Sequence, residues 1–214
     1  MEVFHTESIS ESDFALILSI LRRGGVIAFP TDTAYGLGAD PLNETALDRI
    51  FKIKGRAETK PILLLVGSIA MAETMSEPNP IFYQVAQQFW PGPLTMILPA
   101  KEFVSVKVTA GTKTVGLRWP VSPWAAKLID RFGGAITATS ANRSGRPTAV
   151  TAEEVRVELG NSIDVLIDGG TLPSRSGSTL LDLTADLPVL LREGPISFES
   201  LQDFFKGEIR RQVA

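Results

Sequence analysis

The sequence predicts an α/β fold, a twisted mixed sheet with flanking helices. Three observations carry that expectation. Apolar runs of strand length alternate with amphipathic stretches at helical spacing. No linker-like composition or internal repeat interrupts the alternation. Several strand-like runs follow one another with no helix between them, which argues against a purely parallel, doubly wound sheet.

Taken in order, His5 lies in a terminal strand or tail. Phe14, Ile17, Leu18 and Leu21 make a helical stripe, preceded by Ser12-Asp13 and stopped by Gly24-Gly25. A strand over 26–29 follows, and Asn43 opens a helix carrying Leu47, Ile50 and Phe51. Residues 62–66 read as a buried strand. Asn79-Pro80 starts a helix to about Trp90, since proline suits the first helical position. Pro91-Gly92-Pro93 ends it before a strand over 94–98. Strands over 114–119 and 135–139 flank a helix opened by Ser122-Pro123 and stopped by Gly133-Gly134. Thr151 and Glu154 form a capping-box pattern before a short helix that Gly160 closes. Strands over 165–167, 179–183 and 189–191 come next. Ser197 caps a last helix, expected over 197–214, with Leu201, Phe204 and Phe205.

The 214 residues fit one domain, 1–214, with its core over about 10–195. At 44% apolar and 21% charged, the chain can bury a full core. Cysteine is absent and His5 is the lone histidine. That excludes disulfides, thiolate nucleophiles, His-based triads and the common Cys/His metal sites. No apolar run nears the ~20 residues of a membrane span, and the N-terminus lacks a signal-peptide pattern. A cytoplasmic protein is therefore expected. A net charge of −3 argues against an extended nucleic-acid surface, although the Lys and Arg residues can still line a local pocket.

Six clusters carry the chemistry. Pro30-Thr31-Asp32-Thr33-Ala34-Tyr35-Gly36-Leu37-Gly38 follows an apolar strand, placing hydroxyls at a sheet rim where α/β proteins bind ligands. Lys54-Gly55-Arg56-Ala57-Glu58-Thr59-Lys60-Pro61 gathers three cations. A solvated loop and an anion site both fit it; an Arg fork beside a Lys point charge suits a triphosphate. Arg118 is a cation inside an apolar strand, so it should meet an anion, an internal carboxylate or a ligand's, or lie at an edge. Thr137-Ala138-Thr139-Ser140-Ala141-Asn142-Arg143-Ser144-Gly145 repeats the logic of the first run. Ser176-Gly177-Ser178-Thr179 and Arg192-Glu193-Gly194 complete the set. The glycine-rich phosphate loops G-x-x-x-x-G-K-[ST] and G-x-G-x-x-G are absent, so a bound nucleotide would be held by scattered cations and hydroxyls.

Together these clusters, with Pro91-Gly92-Pro93 before Leu94-Thr95 and with Asp182, resemble the YrdC/TsaC family of L-threonylcarbamoyladenylate synthases, short form. The resemblance runs in order over about 10–195. It implies a YrdC-like fold with a basic concave face. It implies a reaction in which L-threonine, bicarbonate and ATP give threonylcarbamoyl-AMP and pyrophosphate. The product would feed a downstream tRNA threonylcarbamoyl transferase complex. Carried over residue by residue, Arg56, Lys60 and Arg192 would meet the ATP phosphates, with Lys54 in the same loop. Ser140 and Asn142 would flank the nucleotide, with weaker contacts at Thr114 and Thr148. Thr33, Arg118, Ala138 and Ser178 would hold L-threonine, Arg118 through its carboxylate. Mg2+ is expected with ATP, with no metal ligands from protein side chains.

One position departs from part of the family: a histidine touching the amino acid is replaced by Leu65, implying a more apolar pocket wall. The reaction needs no protein nucleophile, which agrees with the lack of cysteine. Two other readings remain. Hydrogenase-maturation carbamoyltransferases carry a related domain, but with zinc fingers that this sequence lacks. An RNA-binding module without catalysis, acting in ribosome or RNA maturation, would keep a salt-sensitive RNA affinity in the absence of both substrates.

Overall fold

The computed structural model describes residues 1–55, 57, 59–173 and 177–212. Strand β1 (Glu2–His5) leads into helix α1 (Glu11–Arg22). The cap is Ser10 rather than Ser12: its Oγ accepts the Asp13 amide at 3.1 Å, and the Asp13 carboxylate accepts the Ser10 amide at 3.0 Å. β2 (Ile27–Pro30) and β3 (Tyr35–Gly38) form a hairpin, with Pro30 opposite Tyr35. The polar run is thus a short turn over 31–34 followed by a second strand, not one long strand tip.

Helix α2 (Glu44–Lys54) is capped by Asn43 and ends at Gly55, whose φ of 55° suits a residue without Cβ. The strand expected over 62–66 narrows to β4 (Leu64–Leu65). Its flanks still bond to other parts of the chain, Ile62 N–H to the Val108 carbonyl and Val66 N–H to that of Arg118, both at 2.9 Å. Then come α3 (Ile69–Met75), α4 (Pro80–Phe89), β5 (Leu94–Pro99), α5 (Val106–Thr109), β6 (Thr114–Arg118) and α6 (Pro123–Phe132).

The strand expected over 135–139 divides into β7 (Ile136–Thr137) and β8 (Thr139–Ser140). After α7 (Ala152–Leu159) the chain adds β9 (Val165–Asp168), β10 (Thr179–Asp182) and β11 (Val189–Arg192). The helix expected over 197–214 is shorter: α8 (Phe198–Phe204) ends early. Lys206 and Gly207 take positive φ values of 52° and 87°, which turns the backbone. β12 (Arg210–Arg211) then pairs in parallel with β11.

Among the described residues the strands form two mixed sheets rather than one. One is ordered β1-β9-β2-β3-β8, the other β12-β11-β10-β5-β6-β4-β7. Alternation along β2 explains the layering. Ile27 and Phe29 pack with Phe14, Ile17 and Leu21 of α1 and Leu128 of α6. Ala28 instead joins the larger core with Leu47, Leu117 and Leu166. Ala138 is the crossing point. β7 pairs with β4 of one sheet and β8 with β3 of the other, and Ala138 N–H reaches the Leu63 carbonyl at 2.9 Å. Among the described residues no helix is long and apolar enough to cross a membrane.

Candidate functional site

A cavity of about 460 Å³ opens where the two sheets meet at this crossing. The sequence-predicted residues Thr33, Lys60, Thr114, Arg118, Ala138, Ser140, Thr148, Ser178 and Arg192 all line it. They come from strands and the loops beside them, far apart in the chain and brought together by the sheet order.

Arg118, at the end of β6, is 3% exposed. Its Nη1 donates to Thr33 Oγ1 at 3.1 Å, and its Nη2 lies a long 3.4 Å from Asp32 Oδ1. Nε has no hydrogen-bond partner among the described residues. Burial pushes this guanidinium below its ordinary pKa; the Asp32 carboxylate opposes that, and the Arg192 charge adds to it. A buried cation with unused donors is built to receive an anion.

Arg192 lines another part of the same cavity. Its Nε and Nη2 hold the Ser178 carbonyl at 3.2 and 2.8 Å, and burial lowers its pKa as well. Gly177 makes this grip possible, because a Cβ there would stand 2.7 Å from Arg192 Nη2. Ser178 Oγ meets Thr95 Oγ1 at 2.6 Å. The turn after β2 is held by Thr31, whose hydroxyl donates to the Ala34 carbonyl at 2.7 Å and accepts the Thr33 amide at 3.2 Å. Burial pushes the Tyr35 phenol up to about 12. It donates to the Gly170 carbonyl at 2.8 Å, tying β3 to the segment after β9.

Two predicted residues stand elsewhere. Lys54 does not line the cavity: it is 3% exposed, and its ammonium is bound to the Ser140 carbonyl and, at 2.8 Å, to that of Asn142. Asn142 is also turned inward, its Nδ2 donating to the Arg146 and Arg143 carbonyls at 2.6 and 3.1 Å. Both organise the loop behind Ser140. Arg56 lies outside the described residues. The wall expected at Leu65 is formed by Leu63 instead, because Leu65 packs into the core with Ile17 and Leu128.

The Sua5/YciO/YrdC family model, described as telomere recombination, matches residues 19–194. The chain belongs to this family. A Pyrococcus abyssi protein named threonylcarbamoyl-AMP synthase is 40% identical over 205 residues, 95% of this chain and 60% of that protein. A Bacillus subtilis protein of the same name is 40% identical over 201 residues, 92% of this chain and 58% of its relative. The chain therefore spans about three fifths of the length of these relatives. The crystal structure of P. abyssi Sua5 complexed with L-threonine superposes with a TM-score of 0.93 at 38% identity, covering 99% of this chain and 63% of that one.

In this Sua5/YciO/YrdC member, Thr31, Thr95 and Thr139, which the sequence clusters contain but to which the sequence reading assigns no individual role, also line the cavity. Thr95 carried a usable signal: it is the polar residue within an apolar strand, as Arg118 is in its own.

Proposed function

We propose that the chain is an L-threonylcarbamoyladenylate synthase, converting L-threonine, bicarbonate and ATP to threonylcarbamoyl-AMP, pyrophosphate and water. One observation carries the reading: two arginines, Arg118 buried and Arg192 more open to solvent, face one cavity together with Lys60 and a row of hydroxyls. Such a cavity favours joining two anions rather than holding one. The names of the relatives, and the threonine bound to P. abyssi Sua5, support this choice of substrates.

Arg118 takes the threonine carboxylate, offering it the donors that Thr33 and Asp32 leave unused. Lys60 and Arg192 take the phosphates, with Ser140, Thr114 and Thr148 beside the nucleotide. The amine and bicarbonate condense to a carbamate, releasing water. A carbamate oxygen then attacks the α-phosphorus, the bond to the β-phosphate breaks, and pyrophosphate leaves. No side chain becomes covalently bonded. Holding the two anions in line supplies up to ~7–11 kcal/mol of the barrier reduction, and the fixed cations offset the charge that builds at phosphorus.

Magnesium belongs to this reading as the ion carried by ATP. Among the described residues no three His, Asp or Glu side chains gather to hold a metal. The hydroxyl- and cation-lined wall fits phosphates that bring most of the ion's ligands themselves. Lys60, Ser140, Thr148 and Arg192 would hold that complex, where the ion neutralises phosphate charge. The product would pass to a tRNA threonylcarbamoyl transferase complex in the cytoplasm, with weak RNA contact outside the cavity. Pyrophosphate release measured with each substrate omitted in turn tests the proposal. Release is expected with all three present; equal release without threonine would overturn it, and so would salt-sensitive RNA binding with no pyrophosphate formed.

A further inference from the structure

The two arginines are ends of one row. β10 lies between β11 and β5, and Leu180 is opposite Arg192 on one side and Thr95 on the other. Along the antiparallel pair of β5 and β6, Met96 faces Leu117, so one step further brings Thr95 opposite Arg118. The row therefore runs Arg118, Thr95, Leu180, Arg192, and all four line the cavity. At ~4.8 Å between strands, the arginine backbones stand about 14 Å apart, with Thr95 one strand in from Arg118.

Ser178, two residues before Leu180 and on the same face, is held from both sides. Arg192 grips its carbonyl from β11, and Thr95 holds its hydroxyl at 2.6 Å from β5. Thr95 itself is fixed. It is 2% exposed, and a Cβ on Gly116 would stand 3.3 Å from its methyl group. Its methyl is thus turned to the glycine and its hydroxyl to Ser178. In a hydroxyl pair one member donates to the other, leaving a single O–H and the free lone pairs for a third group.

We infer that Thr95 is a positioning residue: it aims the Ser178 hydroxyl at the amine and carbamate end of the amino acid. The inference rests on the synthase reading, in which Arg118 fixes the carboxylate. The amine then lies inward along the row, toward Arg192, at the level of Thr95 and Ser178. Neither substrate's anionic pole touches this pair, so Thr95 governs the reacting geometry more than the affinity for either end.

The test compares Thr95→Val, which keeps the shape and removes the hydroxyl, with Thr95→Ser, which keeps the hydroxyl. Thr95→Val should lower kcat about 3- to 10-fold, the loss of one aimed hydrogen bond. The KM for ATP and the calorimetric Kd for threonine should move less than about twofold. Thr95→Ser should stay within about twofold of wild type. In a Ser178→Ala background Thr95→Val should cause no further loss, because both changes remove the same aimed hydroxyl. Unchanged kcat in Thr95→Val, or a loss that persists in the Ser178→Ala background, would overturn the inference while the synthase reading stands. A wild-type chain without threonine-dependent pyrophosphate release would instead overturn that reading and this inference with it.

Discussion

Lys54 and Arg118 are two cations buried to the same degree, 3% exposed each, with opposite use of their donors. The Lys54 ammonium rests on two backbone carbonyls. Arg118 has a hydroxyl, a long ion pair and an Nε with no partner among the described residues. Burial alone thus does not mark a ligand-binding charge. Donor capacity left over inside the fold does. Lys54 is structural because its hydrogen bonds are made at home, tying the end of α2 to the loop that carries Ser140.

The largest effect should come from removing the satisfied cation. Lys54→Met takes the ammonium donor from the Ser140 and Asn142 carbonyls and should cost about 1–3 kcal/mol for each acceptor left unsatisfied. For a chain of this size that lowers Tm by on the order of 10 °C. A fall under about 2 °C in calorimetry would make the Lys54 contacts incidental.

Next comes Arg118→Met. Truncating a buried charge that pairs with a ligand costs about 2–5 kcal/mol of binding, so threonine affinity should drop at least ~30-fold. ATP affinity should hold, and Tm should stay level or rise, because an under-partnered buried arginine stabilises little. Equal loss of both ligands would break the contrast with Lys54, and so would a Tm fall as deep as that of Lys54→Met. Lys60 is exposed at the rim. Lys60→Ala should raise the KM for ATP about 3- to 10-fold through one lost charge-assisted contact, with Tm within experimental error, as at most surface sites.

The same contrast explains what the sequence disclosed. Arg118 announced itself because it interrupts an apolar strand, and nothing local could satisfy it. Lys54 was read as part of a basic loop, yet it stands three, four and seven residues after Phe51, Ile50 and Leu47, on the buried stripe of α2. Helical phase held that signal. The strands were legible from apolar runs, but their division into two sheets was not. It depends on Ala138, where one continuous run changes partners and bonds to Leu63 at 2.9 Å. Pairing at long range leaves no local mark. Nor does a short terminal strand such as β12, which is exposed and polar and exists through its pairing with β11.

A third cation sets the lower bound of the comparison. Arg49 ion-pairs with Asp164 at 2.7 Å, both side chains 35% exposed. Burial pushes the Asp164 carboxyl up, but hydrogen bonds from Arg49 and the Val26 amide outweigh it and hold the pKa below its ordinary 3.8. The folded chain therefore binds this proton less readily than the unfolded chain. The resulting stability is present above pH 3.8 and is lost as pH falls through the lower folded value. Solvent screening keeps the gain under about 1 kcal/mol. Asp164→Asn should flatten that acid limb in urea titrations while changing neutral-pH stability little. A variant whose acid limb matched wild type would show that the pair does nothing measurable. A loss as large as that of Lys54→Met would mean that exposure, not donor satisfaction, is the wrong axis on which to rank these three cations.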